Sequence, residues 1–399
     1  MTTPLKHVRV LDLTNVLAGP FCCHQLAHLG ADVIKVEVPG TGDLARQLGA
    51  DAALNAKLSG VSFLAQNTGK RSITINLKAQ AGKQLFKRLV ATADVLVENF
   101  RPGVMDRLGV GYDSLKADNP DLIYCAISGF GQEGPMRDLP AYDQIVQGMS
   151  GLMSITGDAD TAPLRAGFPV ADTIGGMTAA FAISSALSSL QKPRGTFIDI
   201  SMLEAVISTM GWVASNYLIA GQDPRPMGND NFSASPSGLF ATGDGPINIA
   251  ANKQEQFEAV CRVVEKTELI TDPRFATRQA RLDNRGELNA LLERALSCDN
   301  AKHWQQKLNE AGVPAGRVLS LPEVLDEPQI ADRGLIGSFD HVPGLDGKMR
   351  FIRTGIKLDG HAPITDRPPP TLGQHSQELL AELGYSNGDI AALRADEAI

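Results

Sequence analysis

Several sequence features that would define a functional class are lacking from this chain. No GxGxxG fingerprint of dinucleotide-binding proteins follows the first strand pattern, and Gly69-Lys70 has no glycine five residues earlier to make a P-loop. The formal net charge of -8 lacks the basic excess that nucleic-acid binding needs. No apolar run approaches the roughly 20 residues of a membrane span. We therefore expect no nucleic-acid partner and no membrane partner, and the case for a dehydrogenase is weak.

The cysteines provide neither a disulfide framework nor a metal site. Five cysteines lie at positions 22, 23, 125, 261 and 298 without a CxxC pair or a zinc-like spacing. An odd, scattered set in a chain of this length is typical of reduced thiols. The N-terminal sequence enters a strand pattern at once and has no apolar signal core. These observations predict a cytoplasmic protein without a metal.

The composition is that of a large globular protein with more than one domain. The chain has 399 residues, of which 43% are hydrophobic and 21% charged. Residues 1–220 alternate short β-branched runs with helical spacing, which predicts the N-terminal part of a large α/β domain with a parallel sheet. Residues 221–237, rich in proline, glycine and polar residues, are the expected linker. Residues 238–325 should form a small α+β domain, and residues 326–399 a segment that returns to the large domain.

The segment Arg165–Gly176, RAGFPVADTIGG, places one acid at the expected start of a helix. Pro169 and Gly167 discourage a helix upstream, so we expect the helix to begin at or near Asp172. An aspartate there would accept hydrogen bonds from free backbone amides and would stay ionised at neutral pH. Taken alone, Asp172 is then a helix cap and nothing more.

Polar loops follow several of the predicted strands. Thr14–Pro20 follows the first strand, and the glycine-bearing loops 98–103 and 128–135 follow two later ones. Ligands of parallel sheets bind at the carboxyl ends of the strands. These loops therefore predict a shared pocket.

Several long segments, in this order, resemble the class III CoA-transferase family, which also contains the α-methylacyl-CoA racemases. They are DLTNVLAGPFCCHQLAHLGADVIKVE, NTGKRSITINLK, DVLVENFRPGVMDRLG, ISGFGQEGP, RAGFPVADTIGG and the closing TLGQHSQELLAELG. The resemblance covers nearly the whole chain. It implies a large Rossmann-like domain, a smaller α+β domain and an interlocked homodimer in which two chains thread through one another.

The resemblance also implies that Asp172 is a catalytic nucleophile. Asp172 would take the acyl group of a CoA thioester as a mixed anhydride. Free CoA would then form an aspartyl-CoA thioester that the acceptor acid resolves. CoA is a substrate here, and no tightly bound cofactor is expected. Succinyl-CoA is the expected donor, and a short dicarboxylic acid such as itaconate, mesaconate or citramalate is the expected acceptor.

By position in the family's segments, a further set of residues is expected to bind the substrates. The expected contacts are Val16, Leu17, Ala18, Ile75, Asn76, Leu77, Lys78, Asn99, Phe100, Arg101 and Arg107, with Tyr142 and Asp143 beside the nucleophile. Lys78 and Arg107 could equally be solvated surface charges, and Phe100 could be a core residue.

Three departures from the family's patterns narrow the expected reaction. Leu17 and Val38 stand where the oxalate-using enzymes have glutamine and arginine, which argues against formyl-CoA:oxalate transfer. Asn231–Ser235 replaces the glycine-rich lid of those enzymes. Tyr142 stands where the racemases have a histidine, so two-base proton exchange lacks one base. A racemase or epimerase stays the alternative.

Overall fold

The computed structural model describes residues 3–399, and a six-stranded parallel sheet lies at its centre. The strands are β1 (Arg9–Asp12), β2 (Asp32–Glu37), β3 (Lys70–Thr74), β4 (Val95–Glu98), β5 (Ile123–Ser128) and β6 (Thr196–Ser201). Their order across the sheet is β3-β2-β1-β4-β5-β6, and every neighbouring pair is parallel. This is the Rossmann order, so the predicted α/β fold with a Rossmann-like sheet is confirmed.

Helices connect these strands and continue beyond them. They are α1 (Ala18–His28), α2 (Ala52–Ala56), α3 (Val61–Leu64), α4 (Gln80–Val90), α5 (Val104–Leu108), α6 (Tyr112–Asp118), α7 (Asp143–Met149), α8 (Val170–Leu187), α9 (Met202–Thr209), α10 (Gly211–Ala220), α11 (Gln254–Val263), α12 (Arg278–Asp283), α13 (Arg285–Leu296), α14 (Ala301–Glu310), α15 (Leu321–Asp326), α16 (Pro328–Asp332), α17 (Ser376–Glu382) and α18 (Asn387–Ala395). Two antiparallel sheets follow the large one. The first contains β7 (Ser237–Ala241), β8 (Pro246–Ala250) and β9 (Ala315–Arg317), and the second contains β10 (Ile336–Phe339) and β11 (Met349–Ile352).

Alternate residues of the central strands enter two different hydrophobic cores. Leu11 of β1 packs in one core with Ile34 of β2, whereas Val10 and Val33 pack in the other. All four side chains are buried because helices cover both faces of the sheet. Burial on both faces explains why β4 and β5 are nearly continuous apolar runs rather than alternating ones.

The C-terminal part of the chain covers the edge of the sheet at β3. The N–H of His375 donates to the carbonyl of Ser72 at 2.9 Å. Just beyond β3, the N–H of Asn76 donates to the carbonyl of Ala398 at 2.9 Å. An exposed edge strand would be a site for pairing with other chains. Here a segment near the end of the same chain supplies hydrogen-bond partners for backbone groups of this edge.

Contacts within the chain divide it into two units. The first unit is Met1–Leu152, Arg165–Gln222 and Pro328–Ile399, and the second is Met153–Leu164 and Asp223–Glu327. The second unit contains β7 to β9 and α11 to α15 around its own core, which includes Phe240 and Phe257. The residues expected to form the small domain, 238–325, all lie in the second unit, which also includes Met153–Leu164 and most of the expected linker.

Helix α8, which carries Asp172, is apolar along most of its length. Among residues 3–399 it is the one helix that passes a test for a membrane span by length and composition, which the sequence analysis did not anticipate. One face packs against α1 and the sheet through Ala179 and Ile183. On the other face, the side chain of Phe181 is 74% exposed. Helix α8 is therefore a core helix with one apolar face left uncovered.

Candidate active site

The loops after β1 and β4 meet at the topological switch point of the sheet, where strand order reverses. The side chain of Asn99 joins them. Its Oδ1 accepts from the N–H of Asn15 at 2.8 Å, and its Nδ2 donates to the carbonyl of Asn15 at 2.9 Å. Because the side-chain amide of Asn99 bonds to both the N–H and the carbonyl of Asn15, it holds the two loops in a fixed position relative to each other.

The loop after β1 contains a strained residue, Val16, whose φ is 68°. A β-branched residue rarely adopts this left-handed conformation. The N–H of Val16 donates to Oδ1 of Asp43 at 2.9 Å. Asp43 is itself held by a buried ion pair with Lys35 at 2.9 Å. Strain of this kind persists only where the surroundings enforce it, and it is frequent at functional sites.

Asp172 is the third residue of α8 and not its N-cap. The helix begins at Val170 with Pro169 in the cap position, so the start expected from sequence was two residues late. The carboxylate of Asp143 accepts from the N–H of Ala171 at 2.8 Å and from that of Asp172 at 3.4 Å. Asp143 thus performs the capping that was assigned to Asp172.

Two glycines of the DTIGG sequence allow α8 to approach its neighbours closely. A Cβ at Gly176 would lie 2.4 Å from the carbonyl oxygen of Ala18. A Cβ at Gly175 would lie 2.8 Å from Cγ of Met202. Any larger side chain would push α8 away from the start of α1. The glycines therefore bring the first turn of α8, with Asp172, beside the first turn of α1.

Burial and the negative charge of Asp143 raise the pKa of Asp172 to about 7. The expectation that Asp172 stays fully ionised at neutral pH was therefore wrong. The positive end of the helix dipole does not offset the effect of burial on the pKa of Asp172. The second cause, Asp143, lies 29 residues earlier in the chain, so no local pattern indicates its proximity. A carboxylate with few water contacts is a stronger nucleophile than a solvated one, so this environment suits attack on an acyl group.

Asp172 lines a cavity of about 320 Å³ at the switch point. The other lining residues are Asn15, Val16, Leu17, Ala18, Leu44, Asn99, Phe100, Ile127, Ser128, Gly129, Ala141, Tyr142 and Met202. A second cavity of about 820 Å³ is lined by Ile75, Asn76, Leu77, Lys78, Val38, Arg394 and others. Asn15 and Phe100 line both, so the two cavities are neighbours.

The structure therefore brings most of the expected site residues to two adjacent cavities. The residues at 16 to 18, 99, 100 and 142 surround the cavity of Asp172, and those at 75 to 78 line the larger one. Arg101, Arg107 and Asp143 line neither cavity. Arg101 and Arg107 are exposed, whereas Asp143 is buried and contacts the backbone of Asp172. The roles of these residues stay predictions.

Two residues at the site were missed by sequence reasoning. Arg394 of α18 lines the larger cavity, and no local pattern indicates that this helix returns to the loop after β3. Gln147 donates to Asp143 at 2.6 Å. The spacing of four residues on one helix was the only signal for that contact.

The arrangement suits acyl transfer onto a carboxylate. The cavity of Asp172 is bounded by the start of α1, whose cap position makes no side-chain hydrogen bond. The first amide groups of a helix have no intrahelical partner and can donate to an oxyanion that develops during the reaction. Among residues 3–399, no group of three His, Cys, Asp or Glu side chains is arranged to hold a metal ion.

In open α/β sheets of this strand order, ligands bind in the crevice at the switch point, where the cavity of Asp172 lies. Residues 5–376 match the family described as CoA-transferase family III. The chain is 38% identical to succinyl-CoA:glutarate CoA-transferase of Mus musculus, over 98% of this chain and 89% of that protein. It is 38% identical to succinyl-CoA–D-citramalate CoA-transferase of Chloroflexus aurantiacus, over 99% of this chain and 98% of that protein.

The crystal structure of a CAIB/BAIF family protein from Brucella suis superposes on this chain with a TM-score of 0.84 and 36% sequence identity. The match covers 96% of this chain and 100% of that one. The chain therefore belongs to CoA-transferase family III, and it is a CoA-transferase. The family assignment made from the sequence segments is confirmed.

Proposed function

We propose that this CoA-transferase moves CoA from succinyl-CoA to a short dicarboxylic acid, with Asp172 as a covalent nucleophile. The observation that carries the proposal is the half-buried carboxylate of Asp172, which lines a cavity next to a larger cavity that Lys78 and Arg394 also line. The two relatives described above are named for succinyl-CoA. Their named acceptors, glutarate and D-citramalate, are both dicarboxylic acids.

In the proposed reaction, the Asp172 carboxylate attacks the thioester carbonyl and CoA leaves as the thiolate. The thiolate then attacks the Asp172 carbonyl of the mixed anhydride, which releases the donor acid and leaves an aspartyl-CoA thioester. The acceptor carboxylate attacks this thioester, and the released CoA thiolate takes the acceptor acyl group and frees Asp172. Each step exchanges one activated acyl bond for another, so the thioester energy is retained.

The larger cavity is lined by two cationic side chains and by Glu37, Asp43 and Glu397, of which Glu37 and Asp43 are paired with Arg46 and Lys35. CoA carries phosphates on a protein whose net charge is -8, so cations near the site must supply the attraction. Lys78 and Arg394 line this cavity, and both are exposed. We propose that both bind CoA phosphates.

Replacing Arg394 with Ala should raise KM for succinyl-CoA by about tenfold and leave kcat within twofold. A hydrogen bond between charged groups contributes about 1.5–3 kcal/mol, and a contact made equally in ground and transition states affects KM alone. Steady-state kinetics would measure both constants. Arg333→Ala, at an exposed arginine that lines neither cavity, is the matched control. An unchanged KM would remove Arg394 from the CoA site.

The experiment that tests the proposed function incubates succinyl-CoA with a panel of acids and detects new acyl-CoA species by mass spectrometry. The panel contains glutarate, citramalate, mesaconate, itaconate and oxalate together with monocarboxylic acids of similar length. New thioesters with the wild type but not with Asp172→Asn would support the proposal. Transfer by the variant would exclude Asp172 as the nucleophile, and transfer only to monocarboxylic acids would exclude the dicarboxylate acceptor.

An α-methylacyl-CoA racemase is the alternative that one observation favours, because a pKa of about 7 would also suit Asp172 as a general base. A racemase would wash deuterium from D₂O into the α-position of 2-methylacyl-CoA without acyl exchange. The transferase would exchange CoA between acids and leave that position protonated.

We also propose that two copies of the chain form the interlocked homodimer that the family resemblance implies. Helix α10 has no buried residue, and its Trp212 and Ile219 side chains are 76% and 85% exposed. Together with the uncovered face of α8, this is more exposed apolar surface than isolated chains normally carry. Light scattering should give twice the chain mass. The mass should not fall on dilution, because interlocked chains cannot separate without unfolding. A folded chain with the mass of a monomer, even at a single protein concentration, would contradict the proposal.

A further inference from the structure

Gln147 is a fully buried side chain of α7 that contacts two separate elements near Asp172. Its Nε2 donates to Oδ2 of Asp143 at 2.6 Å. Its Oε1 accepts from the N–H of Ala166 at 2.9 Å, and Nε2 also lies 3.4 Å from the carbonyl of Phe168. One amide thus joins α7 to the segment that leads into α8.

Asp143 extends these contacts to the nucleophile. While Oδ2 of Asp143 accepts from Gln147, Oδ1 accepts from the N–H groups of Ala171 and Asp172. The first turn of α8 is therefore held from two directions. Asp143 fixes its free amide groups, and Gln147 fixes the backbone just before it.

Only a side-chain amide of this length satisfies both partners of Gln147. Glutamate could accept from Ala166 but would have no donor for the carboxylate of Asp143. Methionine or leucine would fill the space and leave both partners buried without a hydrogen bond.

We infer that Gln147 is a positioning residue that sets both the location and the charge state of Asp172. It acts through the carboxylate of Asp143 and through the backbone of residues 166–168, and it does not itself line the cavity of Asp172. The inference rests on the proposed role of Asp172 as the nucleophile.

The test compares Gln147→Met, which keeps the length of the side chain, with Gln144→Met as the control. Gln144 lies on the same helix and is exposed. CoA transfer is measured as kcat and KM against pH. Independently of activity, the titration of Asp172 is followed by NMR of protein labelled with ¹³C at aspartate carboxyl carbons. The resonance is assigned by its loss in Asp172→Asn.

For Gln147→Met we expect kcat to fall roughly 10- to 100-fold, with KM for succinyl-CoA within twofold of the wild type, because a misplaced reacting group slows chemistry more than binding. The titration midpoint of Asp172 should move down by about 1 pH unit, since the carboxylate of Asp143 is no longer held in place beside it. Gln144→Met should match the wild type in all three quantities.

A folded Gln147→Met with an unmoved titration of Asp172 would overturn the inference, whether or not kcat falls, because a purely structural role predicts that result. If the wild type transfers no CoA, the proposed function fails, and the NMR titration still decides the role of Gln147. Should Gln147→Met not fold, Gln147→Ala removes the same hydrogen bonds with a smaller side chain. It should lower kcat and move the Asp172 titration in the same direction, and a midpoint at the wild-type value would likewise overturn the inference.

Discussion

Replacing Asp172 with Asn is expected to lower the rate of CoA transfer by roughly a thousandfold or more. In the proposed mechanism, every acyl exchange passes through a bond to its carboxylate, and removing a covalent nucleophile typically costs several orders of magnitude. The amide of asparagine is a poor nucleophile and carries no charge. Transfer would be followed by mass spectrometry of acyl-CoA species at saturating succinyl-CoA.

Two controls make this result specific to the nucleophile. Asp160→Asn changes an exposed aspartate of the second unit and should retain full activity. Hydroxylamine added with succinyl-CoA should inactivate the wild type, because it attacks the Asp172 carbonyl of the aspartyl-CoA thioester, releases CoA and leaves an aspartyl hydroxamate that digestion should locate. A variant that retains more than a tenth of wild-type transfer would exclude a covalent role for Asp172.

Replacing Lys35 with Met should lower the free energy of unfolding by about 3–5 kcal/mol, a large share of the roughly 5–15 kcal/mol typical of native proteins. Lys35 is fully buried and pairs with Asp43 at 2.9 Å and with Asp12 at 3.4 Å. It also donates to the carbonyl of Thr14. Burial alone would lower the pKa of Lys35, but Asp12 and Asp43 raise it, so it is charged. Methionine would leave two buried carboxylates short of a partner.

Urea unfolding of the two proteins measures this loss. Lys6→Met, at an exposed lysine, is the matched control and should unfold within about 0.5 kcal/mol of the wild type. A Lys35→Met protein as stable as this control would contradict the prediction, because it would show that the charge of Lys35 is not needed beside Asp12 and Asp43. The variant should also be slower in catalysis at temperatures where it is folded, because Asp43 holds the strained backbone of Val16 beside Asp172.

The central sheet could be predicted from sequence because its signals are local. Strands β4 and β5, at the middle of the sheet, are short and largely apolar runs of four and six residues, and all of their residues are buried. The strand β1, the helix α1 and the strand β2 follow one another within about 30 residues, so the βαβ pattern is visible without knowledge of contacts. The family segments added the expected identity of Asp172 and its neighbours.

The environment of Asp172 could not be predicted because it depends on contacts between distant segments. Sequence alone gave a cap residue that stays ionised. In the structure the cap is Asp143, and the pKa of Asp172 is raised by burial and by that same carboxylate. Val16 is a similar case, since a β-branched residue carries no local signal for a left-handed conformation that Asp43 and Asn99 enforce from elsewhere.

The cover of β3 by the C-terminal segment has a consequence for the order in which the chain folds on the ribosome. The N–H of Thr74 donates to Oγ of Ser376 at 3.3 Å, across 302 residues of sequence. At about 5–20 residues per second, that interval takes roughly 15 to 60 seconds to synthesise. During that time the nascent sheet has an open edge, and α18, which contributes Arg394 to the larger cavity, does not yet exist. A nascent chain therefore carries this edge uncovered for that interval, and it acquires the complete larger cavity only in the last stage of its synthesis.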